Sequence, residues 1–178
     1  MRGFVVRSQS GFYIVETPAA SVRCQLRGRL KRGKRLGDIV AVGDWVEISQ
    51  LSIETGVIES IEPRQKLLSR MAPTPQGEYQ QIMLANPDQT VFVFACTEPE
   101  PHLGMLDRLL VVAEKQGIPS VVVANKVDLA GSARAEELFA HYAPLGYAVL
   151  YTSAKNGQGI QELAEILHGK VSVLAGPS

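Results

Sequence analysis

Apolar and polar positions follow two rhythms along this chain. Over the first third, short apolar-rich runs at Gly3–Arg7, Phe12–Val15, Val22–Leu26, Val42–Ile48 and Gly56–Ile61 are broken by turn residues, Ser8-Gln9-Ser10-Gly11 among them. Val22–Leu26 alternates apolar and polar side chains, as a strand with one buried face requires. From residue 90 the rhythm changes. Apolar runs at Thr90–Ala95, Val121–Ala124, Tyr147–Tyr151 and Val171–Ala175 read as buried strands. Between them, Met105–Gln116, Ser132–His141 and Ile160–Leu167 carry apolar residues at helical spacing. Ser132 is expected to cap its helix, with Glu136 and Glu137 near the positive end. Gly117 and Gly169 are stop signals for the first and third helices.

Five short strands at this spacing predict a small antiparallel barrel. The Gly43-Asp44 turn ahead of an alternating strand favours an OB-fold, with an SH3-like barrel as the nearest rival. The later strand–helix alternation predicts a parallel sheet with right-handed crossovers, an α/β unit. Pro63, Pro73, Pro75 and Pro87 punctuate the polar stretch between the two patterns. The organisation expected is therefore a barrel over 1–64, a linker over 65–89 that includes a short helix at Leu67–Met71, and an α/β unit over 90–178.

Charge sharpens this division. Residues 1–70 hold 12 Lys and Arg against 7 Asp and Glu, hence +5; residues 71–178 hold 6 against 11, hence −5. A basic part and an acidic part suggest different partners. No run approaches 18 apolar residues, and the start, Met1-Arg-Gly-Phe, lacks a signal-peptide core, so a cytoplasmic protein without a membrane contact is expected. Cys24 and Cys96 fall on separate strands and are expected as buried thiols. With three scattered His residues they give no metal-ligand spacing, and no metal site is assigned.

The candidate chemistry lies at two strand ends. Pro119–Ala124 runs into Asn125-Lys126-Val127-Asp128, and Tyr147–Tyr151 runs into Thr152-Ser153-Ala154-Lys155. Guanine presents an N1 proton beside an exocyclic amine, and a carboxylate such as Asp128 can accept both. Adenine lacks that pair, and a site built around buried polar partners rejects the wrong base by roughly 10⁴-fold. The two motifs resemble the guanine-reading loops of P-loop GTPases. That resemblance implies that Asn125 bonds the N7 edge and ties the loops together. The stems of Lys126 and Lys155 would cover the ring faces, the Ala154 N–H would meet guanine O6, and Ser153 would brace its loop.

A phosphate loop reads G-x-x-x-x-G-K-[ST] between a strand and a helix. Gly28-Arg-Leu-Lys-Arg-Gly33-Lys34 has the glycine and lysine spacing, but Arg35 replaces the magnesium-binding hydroxyl and the segment lies among strands. It is rejected. The strand Val171–Ala175 leads instead to Gly176-Pro177-Ser178, the start of a phosphate-binding loop. The base loops would then precede the phosphate loop, the reverse of the usual order, which is a circular permutation.

With Val42-Gly-Asp44, Ala85-Asn-Pro-Asp-Gln89 and Leu106-Asp-Arg-Leu-Leu110, these motifs make the chain similar to the circularly permuted GTPases of the small ribosomal subunit biogenesis GTPase A family. The resemblance implies an N-terminal OB-fold, then a partial permuted GTPase domain with a parallel sheet, GTP and GDP as ligands, and Mg2+ in the full-length protein. It implies zinc only in a further C-terminal domain. It implies action in late small-subunit assembly, with the 30S subunit and its 16S rRNA as partners, and a monomer is expected. The phosphate-loop lysine, the magnesium hydroxyl and both switches are not among these 178 residues. No catalytic residue is therefore carried over, and the chain by itself is expected not to hydrolyse GTP. The alternative is a non-catalytic RNA-binding assembly module with a half-GTPase scaffold. A dinucleotide oxidoreductase is disfavoured, since no G-x-G-x-x-G opens a helix.

Residues 23–35 carry Arg23, Arg27, Arg29, Lys31, Arg32, Lys34 and Arg35 with no acid between them. On an OB-fold this segment is a candidate RNA contact whose affinity falls with salt. Trp45, Phe12 and Tyr13 are candidates for base stacking.

Overall fold

A computed structural model describes residues 1–31, 37–74 and 77–177 of the chain, with the side chains of 70–78 outside the description. The described residues divide into two compact units, Met1–Asn86 and Pro87–Ser178.

In the first unit β1 (Arg2–Gln9), β2 (Phe12–Glu16), β3 (Ser21–Leu26), β4 (Trp45–Gln50) and β5 (Thr55–Ile61) form a closed barrel in the order β1-β2-β3-β5-β4. The β3–β5 pair is parallel and the other described pairs are antiparallel. This is the OB-like architecture the alternation implied. Closure removes the sheet edges. One apolar cluster fills the interior, including Val5, Val15, Val22, Cys24, Val46 and Ile58, each fully buried. Gly56 faces inward where a Cβ would stand 3.1 Å from the Cys24 sulfur and 3.0 Å from the Ser49 carbonyl oxygen.

The segment expected as a linker is a hairpin. β6 (Leu67–Thr74) pairs antiparallel with β7 (Gly77–Ala85), and the helix expected at Leu67–Met71 is a strand. Pro73 lies on β6, an edge strand of this two-stranded sheet, so it interrupts no central ladder. The hairpin is pinned to the barrel. Asp38 accepts hydrogen bonds from the Tyr79 hydroxyl at 2.8 Å and the Ile82 N–H at 2.9 Å. The Ala85 N–H donates to the Val42 carbonyl, and Asn86 Nδ2 donates to the Gly43 carbonyl at 3.0 Å. Leu68 and Ala85 are buried. These bonds depend on partners some 40 residues away, which local proline spacing does not reveal.

In the second unit β8 (Gln89–Ala95), β9 (Ser120–Asn125), β10 (Ala148–Tyr151) and β11 (Ser172–Ala175) form a parallel sheet in the order β10-β9-β8-β11. Three helical crossovers connect them: α1 (Leu103–Lys115), then α2 (Val127–Ala130) with α3 (Ser132–Phe139), then α4 (Ile160–Leu167). Val91, Val121, Val123 and Leu150 line one face of the sheet under Leu163, Ile166 and Leu167 of α4. The helix expected over 132–141 ends at Phe139 and continues as a 3-10 turn through Leu145. Ser132 does not cap it. Gly131 holds the cap position at φ 80°, and no side-chain cap bond forms. The Tyr142 hydroxyl donates to Asp107 at 2.7 Å, fixing this turn to α1.

All four strands point the same way, so their C-terminal ends share one edge of the sheet. Ligand loops of parallel α/β sheets lie along that edge.

Candidate guanine-recognition site

Two loops leave that edge from neighbouring strands. At the end of β9, Lys126 takes the left-handed conformation (φ 64°), which turns the chain sharply into α2 and puts Asp128 in its first turn. After β10, the Thr152 N–H donates to the Ala124 carbonyl at 2.8 Å, and the Val127 N–H donates back to the Thr152 carbonyl at 3.2 Å. Asn125 Oδ1 accepts from the Thr152 hydroxyl and from the Ala154 N–H, both at 3.2 Å. One amide oxygen thus joins both loops. The Ser153 hydroxyl donates to Asp128 Oδ1 at 2.6 Å, a short charge-assisted bond.

The second loop is closed internally. The Ser153 N–H donates to the Gln158 carbonyl, and the Gly157 N–H donates to the Ser153 carbonyl, each at 2.9 Å. Gly159 sits at φ 69°, where a Cβ would stand 2.4 Å from the Tyr151 carbonyl oxygen, so the return of the chain needs glycine there. Thr152 and Ser153 are buried, whereas Asp128, Ala154 and Lys155 are exposed.

Asn125, Lys126, Asp128, Leu129, Ala154 and Lys155 line an open cleft of about 240 Å³. That is below the range of about 300–1,000 Å³ for pockets that enclose a whole drug-sized ligand, and is the scale of a base rather than a nucleotide. Asp128 Oδ2 and Asn125 Nδ2 make no hydrogen bond among the described residues. One free carboxylate acceptor and one free amide donor therefore suit a purine that offers adjacent protons on one edge and an acceptor on another.

The six residues picked from sequence come together here, with two differences in detail. The Ala154 N–H assigned to guanine O6 is already donated to Asn125. The Lys126 ammonium donates to the Glu98 carbonyl, on the loop after β8. Sequence reasoning passed over Glu98, whose contribution is a backbone oxygen 28 residues away. It also passed over Thr152 as a partner of Asn125, although Thr152 opens the quoted motif. Cys96, at the end of β8, is fully buried, and burial pushes its thiol up to about 11. Burial likewise raises the Tyr151 hydroxyl, with a smaller push from Glu136.

Gly176 and Pro177 follow β11 on the same edge, and Ser178 lies outside the described residues. A Cβ on Gly176 would stand 2.0 Å from the Val93 carbonyl oxygen, so only glycine lets the chain pass β8 so closely. No cluster of three His, Cys, Asp or Glu side chains suited to a metal occurs among the described residues.

Among the described residues the basic candidates do not form one free patch. Arg27 Nε pairs with Glu59 at 3.3 Å, and Arg29 donates to the Glu59 carbonyl at 3.0 Å while its guanidinium lies 3.6 Å from the same carboxylate. Arg23 stacks on Phe12 on the barrel face. Lys31 lies in a 3-10 turn, and Arg32, Lys34 and Arg35 lie outside the described residues. Trp45 is sandwiched by its own neighbours. The Arg2 guanidinium lies 3.9 Å from its ring centre, and Phe4 packs edge-on at 5.0 Å. Tyr13 is buried.

Comparison with known families decides the lineage. The family model described as RsgA N-terminal domain matches residues 2–58, and that described as RsgA GTPase matches residues 61–178. The chain belongs to the RsgA family. Curated RsgA relatives include one from Alkaliphilus metalliredigens, 38% identical over 179 residues, and one from Moorella thermoacetica, 41% identical over 181 residues. Both are named small ribosomal subunit biogenesis GTPase RsgA. The alignments cover 99% and 100% of this chain but 56% of each relative, so the chain spans just over half their length. The crystal structure of YjeQ from Thermotoga maritima superposes with a TM-score of 0.77 at 34% identity, over 99% of this chain and 60% of that one. YloQ, described as a circularly permuted GTPase, superposes with a TM-score of 0.72 at 27% identity, again over 99% and 60%. The chain thus shares the fold of these solved structures.

Proposed function

We propose that these residues form the guanine-reading and RNA-contacting part of a GTP-hydrolysing factor that acts on the small ribosomal subunit. The observation that carries this reading is Asp128, clamped on one oxygen by buried Ser153 and open on the other to the base-sized cleft. The relatives' names supply the GTPase and small-subunit terms.

In this reading Asp128 accepts the N1 and amine protons of guanine as a fork. Asn125 offers its free amide to the N7 edge while its oxygen holds the two loops in register. The stems of Lys126 and Lys155 cover the ring faces. Gly176 begins the turn that would approach the phosphates. Mg2+, where bound, would supply positive charge to offset the negative charge developing on the phosphates. None of the described residues makes a cluster for it or for zinc. Hydrolysis needs the phosphate cradle, the metal and a positioned water. The 178 residues alone should therefore bind guanine and not turn over GTP. Base hydrogen bonds of about 1–3 kcal/mol each little more than offset the entropy of association, so an affinity near millimolar is expected.

The test is an NMR titration of the chain with guanosine, adenosine and xanthosine monophosphates. Guanosine monophosphate should shift the amides of 125–129 and 152–156, and adenosine monophosphate should not. In Asp128→Asn the preference should pass to xanthosine monophosphate, whose C2 carbonyl suits an amide donor. Equal response to adenosine and guanosine nucleotides, or retained guanine preference in Asp128→Asn, would remove Asp128 from the base site.

A further inference from the structure

The turn between β8 and α1 bonds to the first base loop without lining its cleft. Its first residue, Cys96, is fully buried, and the Cys96 N–H donates to the Asn125 carbonyl at 2.8 Å. Two residues on, the Glu98 carbonyl accepts the Lys126 ammonium. Asn125 is thus held from the β8 side by its backbone, and Lys126 by its side chain. Glu100 faces Arg134 of α3 at 3.7 Å, an exposed pair that adds little. Glu98 itself sits at φ 50°, a conformation that side chains rarely adopt.

The two lysines that line the cleft differ in this respect. Lys155 is exposed, and its ammonium has no hydrogen bond or ion pair among the described residues. Lys126 is half-buried and fixed at both ends, by its left-handed backbone at φ 64° and by its ammonium on Glu98. A lysine stem is among the side chains that lose most freedom when ordered. For Lys126 the fold imposes that loss before a ligand arrives, and for Lys155 it falls on binding.

We propose that the β8–α1 turn is a third loop of the base site, with Glu98 a positioning residue that holds the Lys126 stem against one face of the base. The turn makes no contact with the base and acts through Lys126 alone. It does so with a backbone oxygen, so the conformation of the turn matters and the Glu98 carboxylate does not. With its far end bound, the stem presents its methylenes to the ring as a ready surface. The inference rests on the reading of the cleft as a guanine site, and assigns the ordering of one ring face to a segment 28 residues before Lys126.

The experiment is an NMR titration of the 178-residue chain and its variants with guanosine monophosphate. In the unaltered chain the Thr97 and Glu100 amides should shift on binding, although neither residue lines the cleft. Lys126→Met keeps an apolar stem and deletes the ammonium. It should weaken binding about 3- to 10-fold, the freedom returned to one long side chain, and silence Thr97 and Glu100 while 153–156 still respond. Glu98→Pro fixes φ near −65° and moves the carbonyl, so it should weaken binding by a similar factor. Glu98→Gly, which takes a positive φ readily and keeps the oxygen, should weaken it less. The Lys126→Met/Glu98→Pro double variant should lose no more than either single, because both break one bond. Additive losses, or undiminished binding in Lys126→Met, would overturn the role of the turn. If Glu98→Pro disturbs the β8 and β9 amides, the Lys126→Met result and its Thr97 and Glu100 responses decide alone. Guanosine monophosphate that shifts 125–129 and 152–156 but leaves Thr97 and Glu100 unmoved removes the turn and spares the Asp128 reading. No response anywhere in the unaltered chain removes both.

Discussion

The strongest test of the first unit is the removal of Arg64. Its guanidinium donates to Asp44 Oδ1 at 2.7 Å through Nε and to Oδ2 at 2.8 Å through a terminal nitrogen, which also reaches the Ile39 carbonyl at 2.9 Å. Asp44 is completely buried, while the Arg64 side chain keeps 22% of its surface. The Asp44 hydrogen bond and charge raise the Arg64 pKa, against a smaller opposing effect of burial. Asp44 also accepts the Ala41 N–H at 2.8 Å, so the pair closes the loop 38–44 on which the hairpin sits. Arg64→Met keeps the stem and deletes the charge, leaving a buried carboxylate with one backbone partner. Breaking a buried pair costs about 3–5 kcal/mol, and the residual exposure of Arg64 places the expected loss near 3. With an m value of about 1–3 kcal/mol/M, the urea midpoint should fall by about 1–3 M. The single tryptophan, Trp45, follows Asp44 directly and reports unfolding of this unit by fluorescence. A cycle with Asp44→Asn separates pairing from burial. The double variant should cost at least about 1 kcal/mol less than the sum of the singles, because the charge that Arg64→Met strands is then gone. Additive losses, or a single-variant loss under about 1 kcal/mol, would refute the account.

Two further outcomes follow from the geometry. Gly43 sits at φ 90° with its Cβ direction 1.9 Å from the Ala85 carbonyl oxygen, so Gly43→Ala should destabilise the first unit by more than about 2 kcal/mol; an unchanged urea midpoint would show that the hairpin gives way freely. Burial raises the Cys24 thiol to about 11, above the unfolded value of about 8.5. That stability is therefore fully present below pH 8.5 and lost as pH rises toward 11, so the Trp45 midpoint should fall between pH 8.5 and 10.5 more steeply than in Cys24→Ala. Equal slopes in the two proteins would contradict it.

The barrel was legible because a half-buried strand writes its two faces into alternate residues, and Val22–Leu26 does so without interruption. The parallel sheet was legible because strands covered on both sides are apolar in runs, as Val91–Ala95 is. The hairpin at 67–85 was not, because its anchors are Asp38, Val42 and Gly43, far off in sequence. Ser132 looked like a cap, yet Gly131 reaches the needed φ more easily and displaces it by one residue. Charge density alone did not show the partners inside the basic segment, where Glu59 of β5 faces Arg27 and Arg29. Phe12 and Arg23 were both visible as residue types, but their stacking depends on the β2–β3 register, which pairs Phe12 with Gln25 and Ile14 with Arg23.

On the proposed reading of the base cleft, the arrangement of Asn125 decides which contact discriminates. Its oxygen already holds the Thr152 hydroxyl and the Ala154 N–H, and it fixes both loops before any base arrives. Recognition then carries little ordering cost, since loops held by their own bonds have little freedom left to lose. The same bond limits the Ala154 N–H, which must be shared or released to meet a carbonyl at the 6-position. At 3.2 Å it is a long bond, and its loss offsets part of what the new one contributes. Asp128 has less conflict, because Ser153 takes one lone pair of Oδ1 and leaves the other, with Oδ2, to the two protons of the base. Selection between guanine and adenine therefore falls chiefly on the carboxylate and the two protons it meets, with the 6-position contact secondary. Inosine monophosphate, which keeps the N1 proton and the 6-carbonyl but lacks the amine, should consequently bind closer to adenosine than to guanosine monophosphate. If inosine and guanosine nucleotides bind alike, the backbone donor and not Asp128 reads the base.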